Sequence, residues 1–422
     1  MNDWQEKSLE EIATFIDYRG KTPKKVEYGV PLITAKIVKN GTIAQPSEFI
    51  SKEDYLKWMR RGFPEVGDVV LTTEAPLGEV AQIKDANVAL AQRIITIRGI
   101  EEVLDNGYLK YFLQSRIGQS RLKARETGTT VTGIKSAELK KILIPLPDLP
   151  TQKAIAEILS SLDDKIELNN KINQNLEQLA QTIFKRWFIE FEFPDEKGNP
   201  YKSSGGKMVE TKLGLTPANW IVEPLKNHLY IKGRIGWKGL KKSEYLSENS
   251  GYSIINGLAF ENEQINWEKC GWITKERYDE SPEIMLQRND ILITKDGTIG
   301  KLAFVDTIST PTSVASGIFV VRVNSVKLET LYCWLFFKSP YFQRLVKEKI
   351  DGSVVPHLYQ KDFERMYIPI PDKKTLVSFE EQLKSIFKVI FKNKQESKSL
   401  SNLRNTLLPK LITGKLEISQ ME

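Results

Sequence analysis

Two short runs of this 422-residue chain concentrate positive charge on flexible backbone. Tyr18 to Lys25 holds Arg19, Lys21, Lys24 and Lys25 around Gly20 and Pro23 with no acid among them, and Lys232 to Lys242 holds Arg234, Lys238, Lys241 and Lys242 among three glycines, Gly233, Gly236 and Gly239. Lys and Arg on glycine-containing loops approach phosphate oxygens closely, and each such contact releases condensed counterions. The chemistry these runs suit is therefore salt-sensitive attachment to a nucleic-acid backbone, carrying little sequence information. A single basic run is more often a solvated surface. Here each follows a matching leucine, Leu9 or Leu225, by about ten residues, and recurrence at an equivalent place favours binding over coincidence. A second pair of polar segments, Gly128-Thr129-Thr130 and Gly352-Ser353, precedes helical stretches at Ser136–Leu139 and Gln360–Phe363. Their N–H groups and the hydroxyls of Thr129, Thr130 and Ser353 suit a phosphate, while ordinary helix capping explains them equally well.

A different chemistry is also written in the chain. Pro147-Asp148 followed by Asp163-Asp164-Lys165 matches the sparse pattern of a metal-dependent nuclease, with Asp148 and Asp163 on a divalent cation and Lys165 beside them. Against it, the trio falls on a long helical segment with no sheet to fix it, and Phe387-Lys388-Val389 stands at the matching place after Pro371-Asp372. No Asn/Asp-Pro-Pro-Tyr/Phe sequence is present to hold an extruded adenine, and no glycine-rich cofactor loop follows a strand. Gly297-Thr298-Ile299-Gly300-Lys301 is too short for a phosphate loop and continues into Leu302. Cys270, Cys333, His228 and His357 supply neither a disulfide framework nor a zinc set.

These residues must be positioned by elements that occur twice. Gly128-Thr129-Thr130-Val131 and Ile144-Pro145-Leu146-Pro147-Asp148 reappear 224 residues later as Gly352-Ser353-Val354-Val355 and Ile368-Pro369-Ile370-Pro371-Asp372. Upstream, Gly67 to Thr72 lies over Asn289 to Thr294 at 222 residues. A period this long marks duplicated domains, not stacked repeats. Each copy carries strand-like runs, Asp68–Thr72, Arg93–Arg98, Ile291–Thr294 and Ile318–Val323, and helical periodicity at Leu109–Ala124 and Thr330–Lys347. A mixed, mainly β, α+β domain is expected in each half.

After each Pro-x-Pro-Asp the apolar spacing changes to alternating fours and threes. Ile155, Leu159, Leu162, Ile166, Leu176, Ala180, Ile183 and Trp187 form one seam, and Phe379, Leu383, Ile386, Ile390, Leu400, Arg404, Leu407 and Leu411 form its counterpart, with Arg404 standing where Ala180 stood. Both seams break at mid-helix, at Asn169 and Asn173 and at Asn393 and Ser397. Antiparallel pairing places polar middle on polar middle, and chain order favours the same geometry. At ~1.5 Å per residue Thr151 to Ile189 spans about 58 Å, too long for one domain, so the segment reads as a spacer. The expected organisation is a first globular domain at 1–150, a long helix at 151–190, a polar linker at 191–218, a second domain at 219–372 and a second long helix at 373–416. The two helices form an antiparallel coiled coil, with an internal pseudo-two-fold repeat.

Composition agrees with a soluble globular protein, at 41% hydrophobic and 27% charged residues, and no run approaches the ~20 apolar residues of a membrane span. Net charge is +7 and the isoelectric point near 9.0, compatible with a nucleic-acid partner. The start, Met1-Asn2-Asp3-Trp4, lacks a secretory pattern, so a cytoplasmic location is expected.

The order of these parts resembles the specificity subunit of type I restriction-modification enzymes. Ile144 to Ala156 is similar to the start of that family's first long helix, Phe193-Pro194-Asp195-Glu196-Lys197-Gly198-Asn199-Pro200-Tyr201 with Gly214 to Trp220 to its central linker, and Leu408-Pro409-Lys410-Leu411-Ile412-Thr413-Gly414-Lys415-Leu416 to its close. Lys373-Lys374-Thr375 departs from the Gln-containing start in the second copy. The resemblance implies a non-catalytic DNA reader whose two target recognition domains each recognise half of a split double-stranded target. It implies docking of two modification subunits that methylate adenine, and of restriction subunits that translocate and cleave. No cofactor is implied in this chain, S-adenosylmethionine being bound by the modification subunits. A two-armed adaptor that binds no DNA is the remaining alternative, and the paired basic loops weigh against it.

Overall fold

The computed structural model describes residues 4–18, 20, 22–128, 132–261, 263–351 and 357–416. The chain divides into two units, residues 1–170 with 394–422, and residues 171–393. Each contains one globular domain together with a part of both long helices.

In the first unit a four-stranded antiparallel sheet has the order Ala13–Asp17, Ile94–Gly99, Val69–Thr73, Leu77–Gln82. Every residue of Val69–Thr73 is buried because both sheet faces are covered. Alternation along the strand divides its side chains. Val69 and Leu71 enter a core with Tyr108, Leu109 and Phe112 of helix Asn106–Gln114, while Val70 enters a second core with Val30, Leu32 and Ile33. The smaller sheet beneath has the order Phe49–Ile50, Val30–Ile33, Ala89–Leu90, with the last pair parallel. Asp68, 1% exposed, accepts from Arg98 Nε and Nη2 at 2.7 and 2.8 Å, which satisfies a buried carboxylate at the sheet's end.

The second unit repeats this arrangement. Its sheet has the order Leu229–Gly233, Ile318–Val323, Ile291–Thr294, Leu302–Phe304, and its smaller sheet the order Gly271–Trp272, Ser253–Ile255, Thr312–Val314. Ile291 and Ile293 face the helix Thr330–Lys338, whereas Leu292 turns to the other core, and Asp290 with Arg322 repeats the Asp68–Arg98 pair at 2.6 and 2.8 Å. The expected helices at Leu109–Ala124 and Thr330–Lys347 are each broken in two, at Ser115 and Ser339, whose hydroxyls donate to Phe112 O and Phe336 O at 2.6 Å and accept from the next helix's first turn.

The long helices run Leu149–Phe184, widening into a π-helical turn at Lys185–Ile189, and Lys373–Ile412. Within the first unit Asp163 meets Arg404, while Asn169 donates to Glu396 at 2.9 Å and to Ser397 at 3.4 Å, so the segments run antiparallel. Within the second unit Asn393 donates to Asn173 Oδ1 at 2.9 Å, and Phe188 packs edge-on against Phe379 with ring centroids 4.6 Å apart, again antiparallel. Asn169 and Asn173 are 1% and 6% exposed, and these cross-helix bonds explain why a seam tolerates them. The apolar seam residues Ile155, Leu159, Ala180, Phe379, Leu383, Ile390 and Leu411 are buried. Among the described residues no helix is long and apolar enough to cross a membrane.

Candidate nucleic-acid interface

In the first unit the basic loop follows the strand Ala13–Asp17 and reaches the end of the sheet where Val69–Thr73 turns back. That turn is closed by Thr72 Oγ1, which donates to Pro76 O at 2.7 Å and accepts from Glu79 N at 2.9 Å. Thr73 N donates to Arg93 O at 3.0 Å, and Ile134 N donates to Thr73 O at 3.0 Å, so three chain segments converge on one corner. Gly133 permits this approach: a Cβ there would lie 2.7 Å from Thr73 O. Thr22 Oγ1 donates to Gln92 Oε1 at 2.5 Å and ties the basic loop to the same place. The result is a polar cavity of about 720 Å³ bordered by Gly20, Thr22, Glu74, Arg93, Gly128 and Lys135. Gly20 and Thr22 of the basic loop and Gly128, which opens the glycine-threonine segment, thus border one mouth.

The second unit builds the same corner with other side chains. Lys295 N donates to Gly317 O at 2.8 Å and Leu358 N to Lys295 O at 3.1 Å, matching the bonds of Thr73. Lys295 Nζ lies 4.9 Å from the Phe319 ring centre, beside Gly233, and burial holds its ammonium below the usual lysine range against the pull of Asp296. His357 Nδ1 bonds the Asp296 carboxylate, and its ring lies 4.4 Å from that of Tyr359.

Of the residues expected to touch a phosphate backbone, Lys24, Lys241 and Lys242 are exposed. Lys25 is exposed and pairs with Glu48 at 2.7 Å. Lys238 is half-buried and donates to Glu280 O. Arg19, Lys21, Thr129, Thr130 and Ser353 lie outside the described residues. Arg234 corrects the reading of its loop. It is 2% exposed and donates to Val314 O, Ser281 Oγ and Ser313 Oγ at 3.2, 3.1 and 3.3 Å, with burial, then Arg277, lowering its pKa. Its buried guanidinium holds the smaller sheet to the loop. Arg277, which the sequence did not mark, supports the loop from beneath through Lys238 O and Gly239 O, both at 3.2 Å. Replacing Arg234 by Met is expected to destabilise the second unit by about 1–3 kcal/mol, since Ser281, Ser313 and Val314 lose their donor. Thermal unfolding checks this, and a wild-type midpoint would return Arg234 to the surface set.

The nuclease pattern does not assemble. Asp148 caps its helix through Thr151 N at 3.1 Å, Lys165 faces Glu396 at 3.7 Å, and Asp163 is enclosed by Tyr111, Lys110 and Arg404 at 2.8, 3.2 and 2.6 Å. Among the described residues no group of three or more His, Cys, Asp or Glu is placed to hold a metal ion.

Sequence and structure comparisons converge. Residues 1–178 and 235–411 match the type I restriction modification DNA specificity domain. The chain is 26% identical over 99% of its length to the type I restriction enzyme MjaIX specificity subunit of Methanocaldococcus jannaschii, covering 95% of that protein. It is 24% identical to the type I restriction enzyme HindI specificity subunit of Haemophilus influenzae over 79% of each. The crystal structure of the type I restriction-modification system S subunit from M. genitalium shares its fold, with a TM-score of 0.57 at 18% identity and 97% of both chains covered.

Proposed function

The chain belongs to the type I restriction-modification DNA specificity family, and from that premise we propose that each globular domain reads one half of a split double-stranded DNA target. The two long helices set the separation of the halves and carry two modification subunits, which bind S-adenosylmethionine and methylate adenine. Restriction subunits join these for translocation and cleavage. The chain itself reads and positions, and the chemistry is done by its partners.

The observation that supports this reading is the duplicated corner. The same corner of the same four-stranded sheet is closed by the same backbone bonds in both units, through Thr73 with Arg93 and Ile134 and through Lys295 with Gly317 and Leu358, and carries different side chains in each. Duplicated backbone with diverged side chains is what two readers of two different half-targets need. Lys24, Lys241 and Lys242 supply backbone attachment, and base edges are read from within the mouth.

Replacing Lys241 and Lys242 together by Ala is expected to weaken DNA binding across all sequences. The slope of log K against log salt should flatten by roughly 0.9 for each phosphate that is no longer neutralised. The measurement is a salt titration of binding by the chain with its modification subunits. An unchanged slope would remove these lysines from the interface. A complex that shifts no DNA at any salt concentration would overturn the reading as a whole.

A further inference from the structure

The first unit's mouth holds one cation whose geometry suits base readout better than backbone attachment. Arg93 stands immediately before the strand Ile94–Gly99, and its carbonyl is fixed by Thr73 N at 3.0 Å. Its neighbour Gln92 is tied to Thr22 of the basic loop. At the tip, Arg93 Nε lies 3.0 Å from Glu74 Oε1, and the two side chains remain 54% and 40% exposed. An exposed pair of this kind contributes little to stability. Its consequence is orientation: the carboxylate occupies the Nε edge and leaves the Nη1 and Nη2 fork without a partner among the described residues. That fork is the group that spans the O6 and N7 acceptors of guanine in the major groove, a match a lysine cannot make.

We propose that Arg93, steered by Glu74, reads a guanine in the half-target of the first domain; the proposal rests on the DNA-reading function above. A carboxylate beside the fork also repels phosphate, so Arg93 is disfavoured as one more backbone contact and favoured for a base edge. The second unit keeps the acid, as Asp296, but pairs it with His357, and Gly317 stands where Arg93 would be. Gly317 has no side chain to offer a fork, so this mode of guanine reading is assigned to the first half-target alone.

The test uses the whole complex of chain and modification subunits, methylating genomic DNA with S-adenosylmethionine, followed by sequencing of methylated adenines. Arg93→Ala and Arg93→Lys are both expected to relax one guanine position in one half of the motif. Discrimination there should fall on the order of 10- to 100-fold, with every other position of the motif retained. Glu74→Gln should lower discrimination at that same position while raising affinity for unrelated DNA. A wild-type motif from Arg93→Ala overturns the assignment, as does a uniform fall in methylation at all sites, which marks a phosphate contact. Wild-type discrimination by Arg93→Lys overturns it too, because charge alone would then suffice. Wild-type melting of the Arg93 variants separates these outcomes from unfolding. If the wild-type complex yields no split adenine-methylated motif, the DNA-reading function itself fails.

Discussion

Asp163→Ala is expected to destabilise the first unit by roughly 3 kcal/mol, the low end for removing one partner of a buried ion pair. The low end applies because the Asp163 side chain keeps 20% of its exposure. Its carboxylate accepts from Tyr111 at 2.8 Å, Lys110 at 3.2 Å and Arg404 at 2.6 Å, and Lys110 itself is only 8% exposed. Without Asp163 two cations face each other in a confined space. Burial opposes charge on Asp163, but Lys110, Arg404 and Tyr111 outweigh it and hold its pKa below the usual value. A depressed carboxylate pKa contributes stability that is present above the unfolded value near 4 and is lost as pH falls through the folded one. The Ala variant should therefore resemble wild type most closely in acid. Urea unfolding at pH 7 and pH 3 reads both effects, and equal loss at the two pH values would show that packing, not charge, is at stake.

The second unit supplies the complementary experiment. Counting 224 residues on or back, Lys110, Tyr111, Asp163 and Arg404 correspond to Trp334, Leu335, Phe387 and Ala180, four apolar residues of one core. Replacing a whole buried ionic group by well-packed apolar residues is commonly neutral or stabilising, whereas removing one member is costly. Lys110→Trp, Tyr111→Leu, Asp163→Phe and Arg404→Ala made together should recover most of the stability lost by Asp163→Ala alone. A further loss beyond Asp163→Ala would show that the two crossings differ in backbone, not only in side chains.

The same four residues show where sequence reasoning reaches and where it stops. Periodicity located the long helices and the polar mid-seam, because helix spacing and cross-helix satisfaction are local and repetitive. Arg404 stood out as a departure from Ala180, yet its reason is a partner 241 positions away, and Asp163 offered only a disfavoured reading as a metal ligand. Spacing along one helix says nothing of what faces it. Strands such as Ile291–Thr294 and Ile318–Val323 were legible from their β-branched runs. The basic loops were legible as composition but not as surfaces. Arg234 and Lys241 look alike in sequence, and the fold turns one inward to Ser281 and Ser313 and leaves the other in solvent. Glu74 and Asp296 recur at the repeat's own register and were a usable signal. The side chains beside them, Arg93 and His357, come from different segments, so no alignment of the halves pairs them.

A second exchange between the halves leads to a prediction of similar size and opposite sign in pH. In the first unit, helix Asn106–Gln114 is capped by its own loop, Asp105 accepting from Tyr108 N at 2.8 Å. Gln152 of the long helix clamps that loop through Asp105 N, Val103 O and Pro147 O at 2.9, 3.1 and 2.9 Å. In the second unit Gln152 is replaced by the buried Leu376, and the residue before helix Thr330–Lys338, Glu329, makes no side-chain cap. Glu380, standing where Ala156 stands in the first copy, reaches across from the long helix and accepts from Tyr332 N at 2.9 Å. That placement costs solvation. Glu380 is 3% exposed, and burial raises its pKa to about 7, Glu329 adding to the rise and Lys384 opposing it. A carboxylate whose folded pKa is raised contributes stability that is complete below its unfolded pKa and is lost as pH rises through the folded value. Glu380→Gln keeps an acceptor for Tyr332 N and removes the charge. It should stabilise the second unit at pH 8 by up to about 3 kcal/mol, since each tenfold change in proton affinity is worth about 1.36 kcal/mol. The advantage should disappear below about pH 4.5. Glu380→Ala separates cap from charge. In acid, where wild-type Glu380 is neutral, it should be less stable than wild type by about 1 kcal/mol because the cap is gone. Unfolding of both variants from pH 4 to pH 8 checks this, and a pH-independent difference between Glu380→Gln and wild type would show that Glu380 does not titrate in this range.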